Sequence, residues 1–308
     1  MGEVVVLSTD ENALRTRRRS WSDAQVGMIL ATPAVILLGA VALVPLISSM
    51  VSGFFDQSLL SPDRTFVGFD NLFDVLQGPF WDDLLNTFWF TVWATALPAV
   101  IGLALALALN TRLPGASATR GFFLLPWVLP GVVTSFVWLW IFNANYGVLN
   151  GALRAMGIID ANVNWLGAPD TAFAAIIVTK TWESVPWIAM MILAGLQSID
   201  KSFYEAAEID GAGRWARLTN VTLPRLRPVL ATVLLLELTW NLQHFETIYV
   251  LTRGGPAGST TTLSIDVYTT AFRGFDLGRA GALGILWMIL ISAFIVVYLR
   301  VINRNSDD

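Results

Sequence analysis

The chain has 308 residues, 55% of them hydrophobic and only 14% charged, with a mean hydropathy of +0.62. Soluble domains carry about 25% charged residues, so a water-soluble globule of this size is excluded and a polytopic membrane protein is implied. The formal charge of -4 decides little, while the absence of cysteine and the single histidine exclude a disulfide framework and argue against a structural zinc site.

Residues 1–24 read as a polar N-terminal tail carrying Arg15, Arg17, Arg18 and Arg19. The apolar run from Val26 to Phe55 is longer than a signal-peptide core of about 7–15 residues, and no small-residue cleavage site follows it. It reads as a retained first span. Six apolar segments follow one another at 26–52, 84–110, 121–143, 171–199, 228–251 and 277–299. Each reaches the ~20 residues needed to cross the hydrocarbon core. Their apolar runs are continuous rather than alternating, which predicts helices and not barrel strands. The predicted fold is all-α: a six-helix transmembrane domain over 25–302, with 303–308 as a C-terminal tail.

The connecting segments differ in character. Segment 56–83 is rich in aspartate, and Trp81, Phe88, Trp89 and Trp93 crowd the entry to the second span as an interfacial aromatic belt does. Segments 144–170 and 252–276 are rich in Gly, Asn and Thr. With the N-terminus inside, the inner segments hold 13 of the 19 Lys and Arg residues, the outer segments hold 5, and Lys180 lies in a span. This asymmetry predicts that both termini and segment 200–227 are cytoplasmic. Pro98 and Pro186 fall within spans, where proline either kinks a helix or is simply tolerated.

Segment 200–227 predicts a short helix that Asp200 caps and Gly211 ends, with Tyr204 and Ile209 supplying apolar contacts. A second helix begins near Arg214 and runs toward Pro224 and Pro228. Composition alone fits a solvated connector. The spacing Glu205-Ala206-Ala207, then Asp210-Gly211-Ala212, then Leu223-Pro224 resembles the EAA loop of ATP-binding-cassette importer permeases. Three further stretches resemble carbohydrate importers of the maltose type: Phe66-Val67-Gly68-Phe69-Asp70-Asn71, Tyr249 to Pro256 with Thr260-Thr261-Thr262-Leu263, and Leu125-Pro126 with Pro130. The resemblance runs from about Gln25 to the C-terminus and favours the sugar-holding permease of the pair. The large extra outer domain of the maltose subunit has no counterpart here.

The resemblance implies a multi-pass subunit of the bacterial inner membrane that does no chemistry itself. It implies as partners a second homologous permease, two ATPase subunits, an extracytoplasmic solute-binding protein and the lipid bilayer, and no nucleic acid. This chain would hold no cofactor; ATP and Mg would belong to the partner ATPase. Glu205, Ala206, Ala207, Asp210, Gly211 and Ala212 would form the docking element for that ATPase.

Polar residues inside the spans are the second candidate site. Lys180 and Glu183 are three apart in the fourth span; Glu237, Asn241 and His244 are spaced four and three in the fifth and so share one helical face. Gln243 and Glu246 lie beside that face. A charge at the bilayer centre costs ~2.5–3.5 kcal/mol on insertion scales, so such groups face a bundle interior or a wet cavity. A Lys180–Glu183 ion pair and bonds from Glu237 and His244 to neighbouring helices satisfy the same constraint. Carried over from the maltose-type permease, the sugar-contacting positions are Glu183, Ser184, Trp187, Glu237, Asn241 and His244, with Trp187 and Trp240 offering flat faces to a sugar ring. Several of these differ from the maltose residues. The expected cargo is therefore a di- or oligosaccharide or a sugar-phosphate-like solute, and not necessarily maltose.

The stretch from Gly195 to Ser202 approaches a phosphate-binding loop, but Asp200 stands where glycine is required and would repel phosphate. A proton-driven transporter using Lys180, Glu183 and Glu237 as a relay, a membrane enzyme acting on lipid, and an importer permease for a non-sugar solute are the competing readings. No nucleophile is placed to support the second.

Overall fold

The computed structural model describes residues 22–110, 121 and 123–304. Most of the expected N-terminal tail, Arg112 and Arg120 of the first inner segment, and residues 305–308 of the expected C-terminal tail lie outside the described residues. The chain divides into two units, one up to Ser48 and one from Ser49 onward.

From Asp23 onward the first unit is helical. Helix α1 (Asp23–Leu38) starts at a capping box, in which Ser22 Oγ accepts from the Gln25 amide and the Gln25 side chain accepts from the Ser22 amide. A π-helical turn at Gly39–Leu43 leads into α2 (Val44–Ser52). Apolar side chains are exposed along the whole run, as on a helix that faces lipid or another subunit.

The second unit adds one departure from the all-α expectation. Strands β1 (Phe55–Gln57) and β2 (Arg64–Phe66) pair antiparallel, with Phe55 opposite Phe66 and the Arg64 guanidinium 3.6 Å from the Phe55 ring centre. Then come α3 (Asp70–Gln77) and the long α4 (Phe80–Leu109). The expected third span is interrupted. Helix α5 (Leu125–Val128) stops before Leu129 and Pro130, and α6 (Gly131–Ile141) starts after them. Pro130 has no amide to donate, which suits the start of a helix and not its middle. Helix α7 (Val148–Ala155) lies in the following connection, and α8 (Pro169–Gln197) spans its expected segment.

Past α8, the inner segment forms α9 (Lys201–Ile209) and α10 (Arg214–Arg217); a π-helical turn at Leu218–Thr222 continues into α11 (Leu223–Leu242). The expected fifth span is also interrupted, because α11 ends at Leu242 and α12 (Glu246–Leu251) starts after a three-residue break. Helices α13 (Leu263–Phe272) and α14 (Leu277–Arg304) complete the chain. Among the described residues, four runs are long and apolar enough to cross a membrane: Ala24–Ser52, Phe80–Leu109, Pro169–Gln197 and Leu277–Tyr298.

Helices α4 and α8 pack along their lengths and form the spine of this unit. On one stretch Ala106 meets Ile188, Ile192, Leu226 and Val233; on another Phe90 and Ala94 meet Ile176, Ile248 and Ile265. Small residues let the backbones approach, as in other membrane bundles. A Cβ on Gly102 would lie 2.7 Å from Ile188 Cγ2 and 3.2 Å from the Ala189 amide nitrogen. Gly102→Leu is therefore expected to cost about 1–3 kcal/mol or more, read as a lower melting temperature of the purified complex. An unchanged melting temperature would show that this approach is not tightly packed.

Candidate functional site

Two structural consequences of the sequence meet in the bundle. Helices α5/α6 and α11/α12 are both broken; the second break borders a cavity of 660 Å³, α5 reaches it through Trp127, and its polar wall comes from α8, α11 and residues 243–246. Lys180, Glu183 and Ser184 enter it from α8, and Glu237 and Trp240 from α11. The second break supplies Gln243, His244 and Phe245, Glu246 opens α12, and Trp127 comes from α5.

The polar groups hold one another. Lys180 Nζ lies 3.8 Å from Glu183 Oε2, with the two side chains 9% and 15% exposed. The ion pair anticipated from their spacing is thus present, and it faces the cavity. Glu237, only 2% exposed, has its Oε2 approached by Ser184 Oγ at 3.4 Å and Asn241 Nδ2 at 3.2 Å. Asn241 Nδ2 also donates to Thr95 Oγ1 on α4 at 3.0 Å. A buried carboxylate is tolerable only with such donors.

His244 is not on the α11 face that its spacing predicts, since α11 ends two residues before it. It reaches the cavity from the break instead. Its ring stacks on Phe90 at 5.7 Å, its Nε2 pairs with Thr247 Oγ1 at 2.9 Å, and its carbonyl accepts from Ser264 Oγ at 2.7 Å. Of the six predicted contact residues, Glu183, Ser184, Glu237 and His244 line the cavity. Trp187 and Asn241 lie behind it: Trp187 is buried against the lining Trp240, with ring centres 5.0 Å apart, and Asn241 braces Glu237. Trp127 and Phe245 were not predicted. The one available signal was their position beside the Pro130 break and the His244 break.

The inner segment follows its prediction closely. Asp200 takes the cap position, and its carboxylate accepts from the Ser202 amide at 2.8 Å. That bond holds the Asp200 carboxyl below the usual carboxylate range. Because the folded value is the lower one, the cap contributes above the ordinary carboxylate range and is lost as pH falls through the lowered value. Gly211, at φ +75, closes α9. Its amide bonds to Glu208 O at 3.0 Å and the Ala212 amide to Ala207 O at 2.9 Å, the two bonds of a Schellman ending. Tyr204 Oη meets Thr222 Oγ1 at 3.2 Å, and Arg225 sits 3.7 Å over the Phe203 ring. These contacts tie the short helix to the start of α11. Ile209, expected to make apolar contacts, is 86% exposed, and Trp215 is 76% exposed. Within this chain they touch little.

Solved structures share this fold. A bacterial ABC transporter involved in the import of the acidic polysaccharide alginate matches with a TM-score of 0.79 at 23% identity, over 91% of this chain and 95% of that one. The same kind of transporter in complex with an alginate pentasaccharide-bound periplasmic protein matches with a TM-score of 0.77 at 22% identity, over 89% and 92%. The fold is the one found in ABC importers. Residues 99–307 match the model of the binding-protein-dependent transport system inner membrane component. The chain belongs to that family. Among similar proteins, the trehalose/maltose transport system permease protein MalF of Thermococcus litoralis is 35% identical over 95% of this chain and 98% of its own length. The sulfoquinovosyl glycerol transport system permease protein SmoG of Agrobacterium fabrum is 35% identical over the whole of both chains. This chain is thus a transport-system permease of the inner membrane.

Asn241→Leu removes both donors that Asn241 supplies and leaves Glu237 with Ser184 alone. The expected cost is about 1–3 kcal/mol, measured as a fall in the melting temperature of the complex. No fall would mean that the Thr95–Asn241–Glu237 chain does not hold the wall.

Proposed function

We propose that this chain forms the sugar path of an ATP-driven, binding-protein-dependent importer, for a di- or oligosaccharide or a related solute. The observation that carries this reading is the cavity itself. It sits inside an apolar bundle, yet its wall offers carboxylates, an amide, a hydroxyl and an ammonium to hydroxyl groups, and the half-exposed indoles of Trp127 and Trp240 as flat faces for a ring. The relatives named for trehalose, maltose and sulfoquinovosyl glycerol transport support a sugar cargo. Glu183, Ser184, Glu237 and His244 are the proposed contacts, and Trp187 and Asn241 keep them in position.

In this reading the chain crosses the membrane six times, with both ends inside, over 25–302. The third and fifth crossings use the broken helices. A second related permease completes the path, two ATPases hold ATP and Mg beneath it, and a solute-binding protein delivers the cargo from outside. The neighbour solved with a ligand-bound periplasmic protein supports the last of these partners. Glu205, Ala206, Ala207, Asp210, Gly211 and Ala212 form the docking element, and the exposed Ile209 and Trp215 give it apolar anchors for an ATPase surface.

The reading is tested by rebuilding the complex in proteoliposomes and measuring ATP hydrolysis and sugar uptake together. Hydrolysis stimulated by a sugar-loaded binding protein is the expected result; uptake by this chain alone, driven by a proton gradient without ATP, would replace the reading with a secondary transporter.

Two variants sharpen it. Gly211→Val forces a β-branched residue into positive φ, which distorts the end of α9; insertion is expected to be normal while uptake per ATP falls at least about fivefold, a loss of ~1 kcal/mol in coupling. Ile209→Asp alters only an exposed side chain, and is expected to reduce co-purification of the ATPase while leaving the bundle's melting temperature unchanged. Normal uptake and full co-purification in both would remove the docking role from this segment.

A further inference from the structure

The lining carboxylates do not play one role. Glu183 is paired with Lys180, and Glu237 is held by Ser184 and Asn241. Glu246 differs. None of the hydrogen bonds or ion pairs seen among the described residues involves its carboxylate, and the residue is exposed to the cavity. Its place depends on a glycine: a Cβ on Gly131, the first residue of α6, would run into Glu246 Oε2 and would approach Glu183 Oε1 to 3.7 Å. The two broken helices therefore meet where α6 begins and α12 begins, and the missing side chain leaves room for a free carboxylate.

Lys180 is the one lysine or arginine on the wall, and it is already engaged by Glu183. No lysine or arginine is left on this wall to pair with Glu246, and only the amide ends of α6 and α12 offset its charge. An incoming anion would meet an unpaired like charge in a partly dehydrated space. At ~6 Å and an effective dielectric of ~20, that repulsion amounts to about a hundredfold in binding before screening. A neutral hydroxyl pair can donate to the same carboxylate, and a protonated amine can pair with it while lying against the indoles of Trp127 and Trp240.

Building on the sugar reading above, we infer that the cavity is a charge filter in which Glu246, positioned by Gly131, rejects anionic glycans and admits neutral or aminated ones. The filter separates this chain from the alginate importer, which shares its fold and is described as handling an acidic polysaccharide, and from SmoG, whose named cargo carries an anionic sulfonate. It also removes sugar phosphates from the expected cargoes. Fold likeness says nothing about the sign of the wall; the residues at the two breaks do.

The test uses the permease pair with its ATPases in nanodiscs, without the binding protein, so that the membrane cavity alone selects. Equilibrium binding is measured for trehalose, its 2-amino form and its uronic-acid form, and for the same three forms of maltose. Wild type is expected to bind the neutral and aminated forms at least about tenfold more tightly than the uronic acids. Glu246→Gln is expected to close most of that gap. Gly131→Ala, which keeps the carboxylate but displaces it, is expected to narrow it and provides the readout if the first variant does not assemble. Uronic acids bound as well as the neutral sugars by wild type, or a gap unchanged in the variants, overturns the filter and leaves the sugar reading standing. Binding of no sugar in any charge state overturns both.

Discussion

A polar group inside an apolar bundle must be paired or must face a wet space, and this constraint organises the molecule. Lys180, Glu183, Glu237 and Asn241 lie on helices that otherwise bury isoleucine, leucine and valine. Lys180 and Glu183 neutralise each other, Glu237 is braced through Asn241 to Thr95, and Lys180, Glu183, Ser184 and Glu237 border the cavity together with Gln243, His244 and Glu246. Without that arrangement each group would carry a dehydration cost of several kcal/mol. The cavity is therefore the condition under which this set of residues can occupy a membrane at all.

The same constraint accounts for the broken helices. Interrupting a helix in a membrane frees backbone donors and acceptors, which is tolerated where they are buried in protein or line water. The Gln243–Phe245 break lines the cavity, whereas α4 and α8 are continuous and form the packed spine. Rigid packing thus lies on one side of the bundle and interrupted backbone on the other. Helix α9 has a fixed start, at Asp200, and a fixed end, at Gly211, and the Tyr204–Thr222 contact ties it to the start of α11.

How much of this was legible in the sequence depended on the local signal. The spans at 84–110, 171–199 and 277–299 were visible because long apolar runs have few alternatives, and the short inner helix because a capping aspartate and a terminating glycine bracket it. The break at Pro130 was ambiguous, since proline inside an apolar run ends a helix in one context and merely bends it in another. The break at Gln243–Phe245 carries neither glycine nor proline, so helical spacing put His244 on the wrong surface. Its amide bond to Asn241 O and its contacts with Phe90, Thr247 and Ser264 hold it where it is. The β1–β2 hairpin escaped notice because each strand has three residues. Spacing and the family resemblance pointed to Trp187 and Asn241, but neither could tell a lining residue from one that stands behind it.

The absence of cysteine offers a direct way to follow the cavity. A single cysteine at Gln243, in the assembled importer with its ATPases and binding protein, can be labelled by a membrane-impermeant maleimide applied from either side. The account predicts labelling from the inside in the resting state, from the outside when the ATPases are trapped with nucleotide, and protection by the transported sugar in the trapped state. Labelling that never changes sides with nucleotide, or that sugar does not slow, would contradict the claim that this chamber is the path and that the inner helix drives it.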